Sequence, residues 1–501
     1  MKTARAPAIA VIVAVLLLVA LFDPEPRRVT TVAPSSVNQI APASFSTAAA
    51  KSDVWFCAGG TAVTDGFADH KVLLINTTDV ERIASISAVG SRVLPSSRGP
   101  TGERSVTLPP YARSELRLAD LVPNAAYASA TVELSGGGVV VEHSITGPTG
   151  FDRAPCASSA SAEWFVPLSA TATEKNPTAR AVLVLYNPFA DNAVLDINFV
   201  TDAASTAAPI ESMVVAPGSV EVVDLTAVVP VANQVASAIR ARAGRVVVDR
   251  IEAFDDASAR RDLVLTAGVP AAAPTWFLPS GRLAPPRQER LVVYNPSEER
   301  AEVIVEVRPD DRLLTIEPFS LQVGAGRFAI LDLSAEKRLS DAGVTGYSVI
   351  VRSTGPAVAV DRLVTVPPGQ PGAGASSTTG AALASPTVVI DGAAASETDP
   401  SELIVFNPNA RAIASVTFEV IANGQRQPAK AGTEFELQPG ERTSLPFAQL
   451  GIGNFTVIIT ASAPVVAERE SASNNVRSAE MGIPDRATAQ IPKPITLELG
   501  E

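Results

Sequence analysis

The sequence predicts an all-β protein: four tandem immunoglobulin-like β-sandwich repeats of about 110 residues, behind an N-terminal transmembrane or signal-anchor helix. Three observations predict it. Three unrelated short motifs recur along the chain with one shared period. Apolar runs of four to eight residues are punctuated by Asn-Pro, Pro-Gly and Gly-Ser, the pattern of short strands and turns. A basic and then wholly apolar segment opens the chain, as in an export signal.

That opening segment comes first in the chain. Lys2 and Arg5 precede an unbroken apolar run from Ala6 to Phe22, which Asp23-Pro24-Glu25-Pro26 ends. Seventeen residues rising about 1.5 Å each reach only about 25 Å of a bilayer core near 30 Å, so length leaves cleavage open. The exit of the run, Val19-Ala20-Leu21-Phe22-Asp23-Pro24, lacks the small residues that a signal peptidase requires at −3 and −1. Thr31-Val32-Ala33 has smaller residues but lies further on and is followed by Pro34. The expectation is an uncleaved anchor over residues 1–22 in the cell membrane. Lys2 and Arg5 keep the N-terminus cytoplasmic and residues 23–501 lie outside; the alternative is secretion after cleavage. No lipobox cysteine follows the run. Residues 23–51, rich in Pro, Ser, Thr and Ala without periodicity, read as an extracytoplasmic stalk.

The repeats follow. One motif ends a strand: Leu183-Val184-Leu185-Tyr186-Asn187-Pro188, Leu291-Val292-Val293-Tyr294-Asn295-Pro296, Leu403-Ile404-Val405-Phe406-Asn407-Pro408 and a decayed first copy, Val72-Leu73-Leu74-Ile75-Asn76-Thr77. The asparagines lie 111, 108 and 112 residues apart. A second motif pairs an acid with a base: Val140-Val141-Glu142-His143, Val247-Val248-Asp249-Arg250, Ala359-Val360-Asp361-Arg362 and Val466-Ala467-Glu468-Arg469, spaced by 107, 112 and 107 residues. A third opens each unit: Trp55-Phe56-Cys57, Trp164-Phe165-Val166-Pro167, Trp276-Phe277-Leu278-Pro279 and, in the last unit, only Thr387-Val388-Val389. The boundaries are then 52–158, 159–270, 271–380 and 381–488, with a tail at 489–501. The clearest linker is Pro367 to Ser385, and helix is expected only as a turn near Ser334 to Asp341. Seven or eight strands per unit fit a sandwich; a propeller blade of about 40–50 residues does not fit this period.

Each motif has a structural explanation that outweighs a functional one. Proline lacks the N–H of a central strand and asparagine can cap a turn, so Asn76, Asn187, Asn295 and Asn407 mark the end of a buried strand. Strand alternation puts Asp249 and Arg250 on opposite faces, so each is expected to bond a neighbouring strand or the adjacent domain. The same holds for Glu142, Asp361 with Arg362, and Glu468 with Arg469. Trp55, Trp164 and Trp276 are expected to fill the core or a domain junction rather than a sugar site. Cys57 and Cys156 open and close the first unit in an oxidising compartment, so a disulfide is expected; the alternative, free thiols or a redox pair, lacks a Cys-x-x-Cys spacing.

Chemistry beyond this finds little support. Forty Lys plus Arg against 52 Asp plus Glu give a net charge of −12, which argues against nucleic acid as a partner. Two His and two Cys cannot furnish zinc or iron–sulfur ligand clusters, and neither a metal nor a cofactor is expected. His70 follows Asp69 and His143 follows Glu142, but His143 stands where the other units carry arginine. Hydrolase, metalloprotease and nucleotide-binding signatures are missing, so no enzyme is expected. Asp255-Asp256 and Asp310-Asp311 lack the ligand density of a calcium loop. Asn76-Thr77-Thr78 and Asn454-Phe455-Thr456 match the glycosylation triplet.

The N-terminal anchor, the segment Trp55-Phe56-Cys57-Ala58-Gly59-Gly60, the Tyr-Asn-Pro strands and the Val-Asp-Arg segments together resemble an uncharacterised family of actinobacterial membrane-anchored proteins, a domain of unknown function, over about residues 50 to 490. Arginine outnumbers lysine 33 to 7, as suits a high-GC genome. The resemblance implies a cell-envelope setting beside envelope glycan synthesis, with no activity, cofactor or catalytic residue to carry over. The fourth unit departs from it in lacking Trp, so its packing is expected to differ. The expected function is a non-catalytic scaffold or interaction protein, four sandwiches in a rod or arc offered to an envelope protein partner. The alternative is a glycan-binding accessory module. Sugar rings stack on exposed aromatics, and the aromatics are only 5% of this chain, mostly at positions already given to the core.

Overall fold

Side-chain alternation writes the first repeat. In Arg82–Gly90, Ala84, Ile86 and Ala88 are buried while Ile83, Ser85 and Ser87 are not, so every second side chain meets the core. The computed structural model describes residues 40–92, 97–171, 180–203, 205–256, 260–395, 401–429, 434–473 and 476–492. The anchor expected over 1–22 lies outside them, and no described helix is long and apolar enough to cross a membrane.

Repeat 1 has eight strands, β1 (Asp53–Cys57), β2 (Asp69–Asn76), β3 (Arg82–Gly90), β4 (Thr101–Leu108), β5 (Arg113–Arg117), β6 (Ala128–Leu134), β7 (Val139–Gly147) and β8 (Gly150–Pro155). They form two antiparallel sheets, ordered β1-β6-β3-β4 and β5-β2-β7-β8, around one buried cluster. Repeat 2 copies the order with β9 (Glu163–Ser169), β10 (Arg180–Asn187), β11 (Ala193–Thr201), β12 (Ile210–Val215), β13 (Ser219–Asp224), β14 (Val235–Ala243), β15 (Val247–Asp256) and β16 (Arg260–Ala267). Repeat 3 does so with β17 (Thr275–Arg282), β18 (Gln288–Asn295), β19 (Ala301–Pro309), β20 (Phe319–Val323), β21 (Arg327–Asp332), β22 (Gly346–Ser353), β23 (Ala359–Val366) and β24 (Gly374–Thr379).

Repeat 4 is built from β25 (Ser385–Ala395), β26 (Glu402–Phe406), β27 (Ala414–Ala422), β28 (Gln425–Pro428), β29 (Phe435–Leu437), β30 (Arg442–Pro446), β31 (Gly453–Ser473), β32 (Val476–Met481) and β33 (Ile483–Pro484). Here one long strand serves both sheets. The first half of β31 pairs with β25 and β27, the second half with β26 and β32. Every repeat also places helical turns between its fifth and sixth strand positions, one segment in three repeats and two in repeat 3: Leu118–Asp120, Leu225–Val228, Leu333–Ala335 with Lys337–Asp341, and Phe447–Leu450. Each turn buries a leucine against the core.

The four repeats close on themselves. Strand β8 lies against β16, β16 against β24, β24 against β32, and β32 returns to β8. Each is the outermost strand of its sheet, so four open edges meet at the centre of a ring and cover one another. Asp152 on β8 accepts the Leu265 N–H of β16 at 2.8 Å, where a ladder partner would otherwise stand. The expected rod or arc is therefore corrected to a ring. Pro367–Ser385 is not a plain linker either, since it supplies β24 to this centre.

Segments near the two limits of the described residues fasten the ring. Phe45 pairs in parallel with Asp485, its N–H donates to Pro484 O at 3.1 Å, and Arg486 N–H donates to Phe45 O at 2.8 Å. Ala43 and Phe45 are buried in the core of repeat 1, so residues 43–46, inside the expected stalk, are packed structure. In the expected tail, Gln490 pairs with Ala384. The difference has a simple reason: small and polar residues carry no periodic signal, yet their backbone can pair with an open strand edge.

A disulfide joins Cys57, at the end of β1, to Cys156, just after β8, across 99 residues of sequence. Reducing it should lower the free energy of unfolding by roughly 4–5 kcal/mol, the chain-entropy value for a loop of this length. Urea unfolding with and without reductant measures it; an unchanged midpoint at unchanged slope would refute it.

Candidate functional site: the four inter-repeat seams

The recurring motifs meet at the seams between repeats. Because side chains alternate along a strand, Trp and the following Phe point opposite ways. Trp164 and Trp276 are fully buried in their own repeats and donate Nε1–H to Val246 O (2.8 Å) and Val358 O (2.7 Å); Trp55 is buried likewise. The phenylalanines face the next repeat. Phe165 meets Tyr294 with ring centres 6.3 Å apart, Phe277 meets Phe406 at 6.5 Å, and Phe56 joins the core of repeat 2 and meets Phe189 at 6.4 Å. Tyr186 reaches back across the first seam, its hydroxyl 2.7 Å from Thr131 Oγ1.

The asparagines hold the strand ends that carry these aromatics. Asn295 Nδ2 donates to Glu299 O (2.7 Å), Val323 O and Gly324 O (both 3.1 Å), and its Oδ1 accepts Ser297 N–H at 3.1 Å. Asn187 and Asn76 repeat the arrangement with three carbonyls each, and Asn407 with two. A side chain so committed explains the motif, and it leaves the Asn76 amide buried rather than open to glycosylation; Asn454 is exposed.

The acid–base pairs divide their work as alternation requires. The acid crosses the seam to the strand that follows Trp-Phe in the preceding repeat. Asp249 Oδ2 accepts Ala58 N–H at 3.0 Å and Gly59 N–H at 2.8 Å, and Glu468 Oε2 accepts Ser280 N–H at 2.9 Å. Asp361 bonds the Leu168 backbone in the same way. The base stays in its own repeat: Arg250 donates to Leu168 O and, through Nε, to Thr266 Oγ1 at 2.9 Å, and Arg469 Nη1 donates to Asp391 O at 2.8 Å. Arg362 differs, since it bonds Glu468 of repeat 4.

The closing seam, between repeats 4 and 1, substitutes other chemistry. Val389 stands where the others have Phe, Ile75 where they have Tyr or Phe, and both fall in one buried cluster with Ile421, Ile458 and Ile483. Asp391 accepts from Arg113 at 2.8 Å and from Arg153, while Arg469 lies 2.8 Å from Glu480. Sequence reading missed Asp391, Arg113, Arg153 and Glu480. The one available signal was Asp391 itself, an acid ending the apolar run Val388-Val389-Ile390 where other units carry Ala58, Pro167 or Pro279.

Burial sets the protonation of these groups. It would raise the Asp391 carboxyl, but Arg153, Arg113 and Arg469 outweigh it and hold the group low. Glu142 has no such surplus of cations, so burial, with Glu480 and Asp391 nearby, pushes it well above the usual carboxylate range. Burial lifts Asp152 to about 7 against the Leu265 N–H, and Glu468 to about 7 against its Arg362 partner.

Other candidates are accounted for. Asp310 is gripped by Arg442 at 2.6 and 3.0 Å, and Asp255 lies 3.1 Å from Arg261. Among the described residues, no group of three or more His, Cys, Asp or Glu side chains is placed to hold a metal. One mouth of the ring centre holds an open cavity of about 790 Å³, lined by Thr149, Phe151, Arg260, Arg261, Gln288 and Thr365 among others.

Comparison with known proteins adds a family. The profile of a family of unknown function, DUF5719, matches residues 141–249 and 256–492, more than half of the chain. No curated protein matches. Among solved structures, Thermotoga maritima 1070 is similar at 18% identity over 22% of this chain and 94% of its own, with a TM-score of 0.19. The Anabaena sensory rhodopsin transducer is similar at 20% over 18% and 88%, with a TM-score of 0.16. A Streptomyces avermitilis alpha-L-rhamnosidase complexed with L-rhamnose is similar at 9% over 65% and 43%, with a TM-score of 0.14.

Two predictions follow from the seam geometry. Asn295→Ala strips the buried Val323 carbonyl and the half-buried Glu299 and Gly324 carbonyls of their donor and should destabilise by about 1–3 kcal/mol in chemical denaturation, whereas a change within experimental error would refute the role. The melting temperature should rise as pH falls from 8 to 6. Asp152 and Glu468 hold folded pKa values above their unfolded ones, so their contribution is present at low pH and is lost as pH rises through about 7. Each net proton is worth about 1.4 kcal/mol per pH unit. A flat or falling melting profile across that window would contradict the assignment.

Proposed function

We propose that this chain, which belongs to this family of unknown function, is a non-catalytic, membrane-anchored scaffold of the cell envelope whose ring of immunoglobulin-like repeats presents a rigid surface to a protein partner. One observation carries the reading: the recurring residues are buried at the seams, where they hold repeat to repeat, so what the repeats share is architecture rather than a reaction centre. Part of the strand pairing supports the immunoglobulin-like assignment, while the pairing of the first position with the sixth and of the second with the seventh departs from it. The second position pairs with the fifth, and the third with the fourth and sixth, as B pairs with E, and C with C′ and F, in that fold. The net charge of −12 suits solubility outside an anionic membrane.

A second reading, an accessory glycan-binding module, draws on the cavity at the ring centre, where Phe151 stands among arginines, Gln288 and threonines, a lining of one aromatic face and several hydrogen-bonding groups.

Fractionation tests the location: full-length protein should remain with the membrane, and a soluble form in the medium starting after residue 22 would defeat the anchor. Capture from envelope membranes beside a glycan array tests the role. The scaffold reading expects a defined protein partner and a blank array. A glycan signal abolished by Phe151→Ala would replace it with the second reading.

A further inference from the structure

The chain contains two histidines, and they touch. His70 on β2 and His143 on β7 are both fully buried at the seam between repeats 1 and 2. His70 Nδ1 is 2.8 Å from Ala128 O, His70 Nε2 is 3.0 Å from His143 Nδ1, and His143 Nε2 is 3.6 Å from Asp249 Oδ2 of repeat 2. That same Asp249 oxygen accepts the Ala58 and Gly59 N–H groups across the seam.

The hydrogens follow from the acceptors. A carbonyl only accepts, so His70 Nδ1 must carry its hydrogen. In a neutral ring His70 Nε2 then accepts, so His143 Nδ1 donates to it. His143 Nε2 is left bare, facing the Asp249 carboxylate and the Gly59 backbone. One added proton between Nε2 and Oδ2 replaces two facing acceptors by a donor and an acceptor, which draws the two groups together from 3.6 Å into hydrogen-bond reach. A further proton, on His70 Nε2, would set two N–H groups head to head at a 3.0 Å contact and must push the rings apart.

We propose that His70, His143 and Asp249 form a proton-operated latch on the seam between repeats 1 and 2, closed by one proton and opened by the next. The titratable groups that face it are these three: His70 from β2, His143 from β7 and Asp249 from β15. The segment just after β1 contributes the Ala58 and Gly59 backbone, and β6 that of Ala128. Neighbours on the same strands, Glu142 and Arg250, point to the opposite faces.

The direction with pH can be assigned. Burial raises Asp249 to about 7, against the Gly59 and Ala58 N–H groups, so the closing proton is present below that pH and lost as pH rises through it. Burial lowers His70 to about 4 and His143 below its ordinary value, so the neutral pair stabilises the seam above the ordinary histidine range, and that contribution is lost as pH falls toward 4. The latch is tightest between these limits. The other three seams carry Arg250, Arg362 and Arg469 at this place, which keep one charge throughout the range. The alkaline limb has a counterpart in Glu468 at the third seam, whereas the acid limb, which needs two facing imidazoles, belongs to this seam.

Hydrogen–deuterium exchange of the Ala58 and Gly59 amides in the full-length protein tests the proposal, with intrinsic pH effects divided out against an unstructured peptide. Protection should peak near pH 6 and fall on both sides, by about tenfold per pH unit for each net proton at most. Asp249→Asn should remove the alkaline limb, and His70→Gln with His143→Gln the acid limb. Because a variant can disturb packing, the unmodified protein labelled at histidine gives a second reading. The ring nitrogen signals should show His70 protonated at Nδ1 and neither ring titrating near 6.5. A flat or monotonic protection profile, or an imidazole that titrates near 6.5, would overturn the latch.

Discussion

Everything in this fold depends on the strand that opens each repeat being shared between two repeats. Its tryptophan is buried in its own core, its phenylalanine packs on the aromatic residue of the next repeat, and the backbone just beyond donates to that neighbour's acid. A β-strand can do this because alternate side chains leave it in opposite directions. One strand therefore spends apolar area on two cores, and removing it would empty both. The acid–base pair is the complementary half, with the acid reaching over the seam and the base, in repeats 2 and 4, tying down the home strand. Four such contacts in sequence turn the chain through a full circle, and the outer strands β8, β16, β24 and β32 meet where the circle closes.

Two exceptions to the sequence pattern become one fact at the closing seam. Repeat 4 lacks Trp-Phe and repeat 1 lacks the Tyr of Tyr-Asn-Pro; in the ring these two positions belong to the same interface. An aromatic on either side alone would meet an aliphatic surface shaped for Val389 and Ile75. The acids shift together as well: Asp391 takes the arginines at this seam, and Glu142, left beside two other carboxyls, is driven toward its neutral form. Substitutions that look like decay along the chain are mutual accommodation across it.

How much of this was legible can be argued residue by residue. The period, the strands, the place of Trp164 in a core, that of Asn295 at a strand end and the outward reach of Asp249 followed from spacing and alternation, since these are local properties. The disulfide followed from compartment and position. Ring closure did not, because it depends on which repeat meets which, and a 110-residue period reads the same in a rod as in a circle. The packing of Ala43 and Phe45 was hidden for a related reason: a segment that pairs by backbone needs no periodic side chains. Arg113, Arg153 and Glu480 were invisible because each is an ordinary strand residue until Asp391 or Arg469 is brought beside it from hundreds of residues away or from the adjoining strand.

The seams are richer in buried ions than stability alone would ask for. A buried ion pair gains little over a well-packed apolar contact, but a buried charge without its partner is strongly destabilising. In a ring of four similar repeats that asymmetry selects neighbours. Each seam carries its own set of charged or polar groups: the neutral pair His70 and His143 with Asp249 at the first, Arg250 and Asp361 at the second, Arg362, Glu468 and Glu470 at the third, and Arg113, Arg153 and Asp391 at the closing one. Were β25 to dock on repeat 2 instead of repeat 1, Asp391 would approach Asp249, with neither Arg113 nor Arg153 to receive it. Were β17 to dock on repeat 1, Arg362 would lose Glu468. The aromatic contacts are alike enough from seam to seam to permit such exchanges, so the ions supply the discrimination that the aromatics do not.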